Sequence, residues 1–339
     1  MEKIDWDNLG FNVVETHSMY KASCRIGEEW KLGGLIPYGT IELSPAAGVL
    51  NYGQGCFEGT KAYRTVKDRV VLFRPEMNAK RMALSTKRLC IPEMNQEFFL
   101  NAVEETLKDN IDYVPPYGKG SLYIRPIVWG TSPALGVKPV EVYTFMVFVS
   151  PVGPYFKGDI QPLNLKVSNK YHRAAPKGIG NAKAIGNYSA SLLPLIEAKN
   201  SGFDEVIYLN AKDEKFVEEV GSANLFVLTG NTIKTPKLDG SILPGITRDS
   251  VITLAKDTIG LEVLETNVTL TELYDADEVF CTGTAVVVTP VGSITGLDGK
   301  HKIADGKMGQ LTSKLRQLLT GIQRGDVSDE FGWLYPIKE

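Results

Sequence analysis

A lysine at position 183, a glutamate at 219, a tyrosine at 188 and two glycine-flanked turns are the residues of this 339-residue chain most able to do chemistry. Lys183 lies in RAAPKGIGNAKAIGNYSASLLPLIEAKNSG, residues 173–202, among Gly, Ala, Asn and Ile and with no acidic neighbour nearby in sequence. Small flanking residues let a backbone approach a ligand closely. A lysine ahead of a helix is ordinarily a solvated charge, so the residue alone decides nothing. In LPGITRDS, Pro244 and Gly245 end one segment, and Thr247 reads as the N-cap of a helix through Ser250, Val251 and Ile252. The amides of Ile246 and Thr247 would then point out of a helix N-terminus, an anion site that every helix offers in principle. CTGTAVVV reads as a turn at Thr282, Gly283, Thr284 and Ala285, entering a core strand, whose N–H groups could cradle a carboxylate or phosphate.

Each of these pieces is generic, and Glu219, in EEVGSANLF, would alone be a solvated charge. Together they supply an amine, an anion cradle, a carboxylate and a phenol. That set matches the needs of pyridoxal phosphate: a lysine for the Schiff base, a helix N-terminus for the phosphate and an acid that keeps the ring nitrogen protonated.

The elements that must position these groups fall into two α+β parts. At 339 residues the chain exceeds what one core usually supports. KAYRTVKDRVVLFRP predicts a hairpin, PEMNAKRMALSTKRLCIP and NQEFFLNAVEETLKDNIDYVPP predict amphipathic helices, and SLYIRPIVWG and EVYTFMVFVS predict strands. Residues 151–162, rich in Pro and Gly, read as a linker between a first lobe, 1–150, and a second, 163–339. The final helix, MGQLTSKLRQLLTGIQRG, is expected to pack on the second lobe. Tyr123 and Arg125 fall two residues apart and so on one face of a strand.

Charge and composition exclude several classes. A formal net charge of −3 without a basic block argues against nucleic acid or an anionic membrane as partner, and a small molecule is favoured. No run of about 18 apolar residues spans a membrane. Four scattered cysteines and three scattered histidines predict reduced thiols and no metal site. The acidic opening, MEKIDWDNLGFNVVETH, has no signal-like run and predicts a cytoplasmic protein.

Eight ordered segments carry a resemblance: YGQGCFEGTKAYR, LFRPEMNAKRM, SLYIRPIVWG, SPVGPYF, KAIGNYSASL, EEVGSANLF, LPGITR and GTAVVVTPVG. With them the chain resembles the branched-chain amino acid aminotransferases, fold-type IV pyridoxal-phosphate enzymes, over nearly its whole length. The resemblance implies a mixed α+β fold, with a small α/β sandwich lobe and a larger pseudo-barrel lobe, and a homodimer. It implies amino transfer between leucine, isoleucine or valine and 2-oxoglutarate. Lys183 becomes the Schiff-base lysine and Arg81 the phosphate-binding arginine, helped by Ile246, Thr247 and Thr284. Tyr188 would lie near the ring hydroxyl and Glu219 at the ring nitrogen. The substrate carboxylate would meet the Thr284 and Ala285 amides. Phe11, Tyr52, Phe57, Tyr123 and Tyr155 would wall the side-chain pocket, which would span both lobes, and Arg125 would meet the distal carboxylate of glutamate. Ile185 departs from the family, which has glycine there. A D-amino acid aminotransferase or lyase of the same fold is the near rival, and a non-catalytic ligand-binding scaffold the distant one.

Overall fold

The computed structural model describes residues 4–153 and 160–338. They form two compact units, and the chain visits the first of them three times. The first unit takes the described residues of Met1–Tyr155, then Ala182–Ile185, then those of Ile322–Glu339; the second takes those of Phe156–Asn181 and Gly186–Gly321.

The first unit contains β1 (Ser18–Arg25), β2 (Gly34–Pro37), α1 (Gly48–Tyr52), β3 (Gly55–Phe57), β4 (Thr60–Arg64), β5 (Val70–Phe73), α2 (Pro75–Arg88), α3 (Gln96–Asp109), β6 (Ser121–Gly130) and β7 (Val142–Val152). Its sheet runs C-terminal strand–β5–β4–β6–β7–β1–β2, with β3 also on β6. β6 alternates. Leu122, Ile124 and Val128 are fully buried, while Tyr123, Arg125 and Ile127 are half-buried on the other face. α3 starts where the Asn95 side chain accepts from the Phe98 amide, and it buries Phe98, Phe99, Ala102, Val103 and Leu107 on one stripe. That stripe and Met82 of α2 pack with Tyr20, Leu122, Ile124 and Phe145 of the sheet. Each such large side chain contributes about 1.5–3 kcal/mol on leaving water.

The second unit contains β8 (Leu163–Val167), α4 (Ile185–Ser189, whose first residue belongs to the first unit), α5 (Leu192–Asn200), β9 (Glu205–Leu209), β10 (Val217–Val220), β11 (Ala223–Thr229), β12 (Thr232–Pro236), α6 (Ile246–Thr253), β13 (Glu262–Thr266), α7 (Leu270–Tyr274), β14 (Glu278–Gly283), β15 (Val287–Gly296), β16 (Gly299–Lys302) and α8 (Gln310–Arg324). The strand path β10–β9–β8–β15–β14–β11 is closed by a further pairing of β10 with β11, so six strands form a barrel. Leu165, Ile207, Val220, Leu225, Cys281 and Ile294 fill one core of it. This is the mixed, two-part architecture expected, with the barrel in the second unit.

The boundaries differ from those read along the chain. Pro151 and Val152 finish β7 rather than start a linker, and residues 154–159 of that segment lie outside the described residues. The tail is not part of the second unit, because Leu334–Pro336 pairs antiparallel with β5 and Trp333 stacks edge-on against Phe73. α8 accordingly begins in the second unit and ends in the first. The segment after Lys183 forms two short helices, α4 and α5. CTGTAVVV is the corner of a hairpin, with a strand on both sides of the turn.

Candidate active site

Lys183 is stitched into the first unit by its backbone. Its N–H donates to Ser85 Oγ (3.0 Å) on α2, its carbonyl accepts from the Phe57 amide (3.1 Å), and Ala184 bridges to Cys56 on β3. The position is half-buried, and its Nζ lies 4.7 Å from the centre of the Phe57 ring. Removal from water, followed by the repulsion of Arg81, brings its amine down to about 8, with Glu58 pulling the other way.

Arg81 sits on the buried face of α2 together with Asn78, Met82 and Ser85. It forks onto Glu58: Nε donates to Oε1 at 2.7 Å and Nη2 to Oε2 at 2.8 Å. Asn78 Nδ2 adds a third donor to Oε2 at 2.7 Å. Glu58 is wholly buried, and burial alone would push its carboxyl up. The charge and hydrogen bonds of Arg81, with Lys183 and Asn78, outweigh burial and hold it below its ordinary range.

On β6, Arg125 lies with its guanidinium carbon 4.7 Å from the Phe57 ring centre and 5.2 Å from that of Tyr123, whose hydroxyl accepts from Nη2 at 3.1 Å. Its Nε is buried without a hydrogen-bond partner. Phe11 meets Tyr123 edge-on at 5.4 Å. A side chain at Gly59 would collide with the Tyr123 hydroxyl, so glycine is required for this close approach. Phe11, Phe57, Tyr123, Arg125 and Lys183 are thus linked by short contacts, and they belong to the same unit as Arg81. Tyr52 is engaged apart from them, its hydroxyl donating to the Leu135 carbonyl. Tyr155 lies outside the described residues.

In the second unit Glu219, on β10, is buried and held on both oxygens. Oε2 accepts from Arg173 Nη1 (2.8 Å) and the Leu243 amide (3.1 Å); Oε1 accepts from Asn224 Nδ2 (3.1 Å). Arg173 also donates to the Ser241 carbonyl at 2.8 Å. The neighbouring Glu218 is set differently: burial pushes its carboxyl up, and Ser241 Oγ donates to it.

The helix beyond starts two residues earlier than expected. Gly245 is the N-cap, with extended backbone, and no side chain caps the end; Thr247 is the second helical residue. Gly245 lies so close to Asn224 Oδ1 that a Cβ there would collide with it, so the first turn of α6 and the Glu219 carboxylate share Asn224 as a brace. The Ile246 and Thr247 amides occupy the N-terminal turn whose donors lack intrahelical acceptors. Thr282 Oγ1, at the end of β14, is buried without a partner, two residues before Thr284 and Ala285 in the turn. Tyr188 is half-buried on α4. Among the described residues no three His, Cys, Asp or Glu side chains group as a metal site requires.

Reading along the chain missed Glu58, Asn78 and Arg173. Glu58 and Arg81 stand 23 residues apart on different elements, and Arg173 and Glu219 are separated by a helix pair and a strand, so no periodicity couples them. Taken separately, the first unit offers a phosphorylated aldehyde a lysine with a lowered amine and an arginine, and the second offers an uncapped helix start, a pinned carboxylate and an unsatisfied buried hydroxyl.

Comparison with known proteins agrees. The family model of amino-transferase class IV matches residues 55–294. Branched-chain amino acid aminotransferase 2, chloroplastic, of Humulus lupulus is 50% identical over 330 residues, covering 97% of this chain and 81% of the relative. Among solved structures, the Escherichia coli branched-chain amino acid aminotransferase has a TM-score of 0.83 at 30% identity, covering 96% of this chain and 100% of that one. A branched-chain amino acid aminotransferase of T.th., complexed with N-(5'-phosphopyridoxyl)-L-glutamate, has a TM-score of 0.78 at 32% identity, again with 96% and 100% coverage.

The same comparison overturns the cytoplasmic expectation. Several plant relatives at 47–50% identity are named chloroplastic or mitochondrial. Targeting leaders are cleaved away and leave no mark on the fold, so residues that build a fold carry no address. From its fold, its ordered motifs and its relatives, the chain belongs to the class IV aminotransferases and, within them, to the branched-chain amino acid aminotransferases.

Proposed function

We propose that this protein catalyses reversible amino transfer between leucine, isoleucine or valine and 2-oxoglutarate, with pyridoxal 5'-phosphate as its cofactor and as a homodimer. The observation that carries the reading is Lys183, fixed by its backbone, set against the Phe57 ring and with its amine lowered to about 8. When bound, the cofactor supplies an aldehyde to hold the amino group and a ring that accepts the electrons released at the substrate α-carbon.

The remaining work belongs to the protein. A lysine near 8 has a useful neutral fraction at working pH, so Nζ would be able to hold the cofactor's aldehyde and, as a free amine, to take and return the substrate α-proton. Arg81 and the Ile246 and Thr247 amides would hold the phosphate, assisted by Thr284. Tyr188 would donate to the ring hydroxyl. Glu219, already gripped by Arg173, Asn224 and the Leu243 amide, would hold the proton on the ring nitrogen. The Thr284 and Ala285 amides would orient the substrate carboxylate.

The two substrates differ in their side chains. A branched aliphatic chain suits Phe11, Phe57 and Tyr123, with Tyr52 and Tyr155 assigned to the same wall. A bare carboxylate among aromatics would be strongly disfavoured. Arg125, with its buried Nε unsatisfied, supplies the missing partner for glutamate. The phosphopyridoxyl-glutamate complex of the T.th. relative supports this side of the reaction.

An amino-donor panel with 2-oxoglutarate, run on purified protein, tests the reading. Leucine, isoleucine and valine should be the best donors and should bleach the visible absorption of the bound cofactor. A panel led by D-alanine, or a protein with no such absorption, would contradict it. Mass measurement in solution tests the dimer.

A further inference from the structure

The first unit carries a buried acid that the reaction described above does not use. Glu58 lies beside a group assigned to hold an anion, where a second negative charge should hinder phosphate binding. Yet it is well satisfied, gripped by both Nε and Nη2 of Arg81, by Asn78 Nδ2 and by the Gly59 amide. Its own amide donates to the Pro126 carbonyl on β6, which fixes its backbone relative to Tyr123 and Arg125.

We propose that Glu58 is a positioning residue: its carboxylate locks the plane of the Arg81 guanidinium for the phosphate and sets a negative charge next to Phe57, whose amide and ring hold Lys183. This deepens the proposed function and rests on its assignment of Arg81 and Lys183.

The geometry supports the first half. A guanidinium on a flexible stem can rotate, and a two-point fork to an immobile carboxylate fixes it. The fork takes the Nε–Nη2 edge and so determines which edge an incoming phosphate meets. Charge balance supports the second half. The groups facing Lys183 are Arg81 from α2, Tyr123 and Arg125 from β6, Glu58 beyond β3, and the buried thiol of Cys56 on β3, whose ionisation burial and Glu58 disfavour. Two of these are cations. Burial and Arg81 both drive the proton off Lys183, and the Glu58 carboxylate opposes them. A lysine pushed further would lose its ability to return a proton late in the reaction.

The test uses the full-length, cofactor-loaded protein and two readouts other than turnover: the pH midpoint of the cofactor's visible absorption, and cofactor retention on dialysis. Glu58→Gln removes the charge. It should lower the midpoint by about one unit or more, since a neighbouring anion stabilises a protonated nitrogen. Glu58→Asp keeps the charge but withdraws it from the fork. It should leave the midpoint within a few tenths of a unit while weakening retention at least fivefold.

A midpoint unmoved in Glu58→Gln, or moved equally in both variants, would show that Glu58 only braces the fold. If Glu58→Gln does not fold, Glu58→Asp decides: wild-type retention, or a midpoint shifted by a unit, overturns the proposal. Failure of the parent reading looks different, because the visible absorption would then survive in Lys183→Ala.

Discussion

Among the described residues, each unit buries a glutamate–arginine pair near residues assigned to the cofactor, and the two pairs are built differently. Glu58–Arg81 joins a strand end to a helix and sits in a cluster with a second cation, Lys183. Glu219–Arg173 joins β10 to a loop, and two neutral donors, Asn224 Nδ2 and the Leu243 amide, also reach its carboxylate. The first exports its charge to a neighbour that titrates. The second uses its contacts to hold one carboxylate still. Buried ion pairs contribute little net stability once desolvation is counted, so their retention in the site is better explained by what they do to adjacent groups.

The largest expected effect removes the group on which the first cluster acts. Lys183→Ala should lower transamination by about 10⁴-fold or more and abolish the cofactor's visible absorption, with far-ultraviolet circular dichroism unchanged. Survival of either activity or absorption would dissolve the distinction between the clusters.

Glu219→Gln probes the second pair. Arg173 would be left buried without its anion, at a cost of about 3–5 kcal/mol, read as a lower melting temperature. The rate should fall about 10- to 1000-fold, and the pH midpoint of the visible absorption should move less than in Glu58→Gln. Equal midpoint shifts would mean that both glutamates act as charges rather than one as a clamp.

Arg125→Met separates recognition from chemistry. It should depress kcat/KM for glutamate and 2-oxoglutarate by about 10- to 1000-fold, or roughly 1.4–4 kcal/mol, and change the leucine half-reaction much less. Single-turnover measurements of each half-reaction check this. Equal losses would place Arg125 on the shared α-carboxylate or in a structural role.

The smallest effect is one of stability. With its amine near 8 in the fold and about 10.4 when unfolded, Lys183 binds more protons in the unfolded chain between those values. Native stability from this group therefore rises with pH from about 8 to about 10.4, and below 8 the burial penalty is present in full. Cofactor-free Lys183→Met should accordingly be more stable than the cofactor-free parent at pH 7, by about 1–3 kcal/mol. The advantage should shrink as the pH approaches about 10.4, as denaturant titrations at the two pH values would show.

Local pattern made much of the fold legible. The run SLYIRPIVWG coincides with β6 residue for residue, and the apolar stripe of NQEFFLNAVEETLKD marks α3 because one face meets the sheet. Pairings distant in sequence were not legible. The barrel closes through β10 and β11, and the tail docks on β5, by hydrogen bonds that leave no periodicity. The same holds within the site. Lys183, Arg81 and Glu219 stood out through ordered motifs, whereas their partners Glu58, Asn78 and Arg173 required the folded chain. Gly245 took the cap from Thr247 because the chain must pass close to Asn224, a constraint invisible in LPGITR.

The central claim is that Lys183 holds the cofactor. Borohydride reduction of the loaded protein followed by peptide mass spectrometry tests it most directly. The account predicts one phosphopyridoxyl group per chain, on the peptide containing Lys183. A label on Lys61 or Lys177, or no covalent label in protein that retains its cofactor, would contradict it.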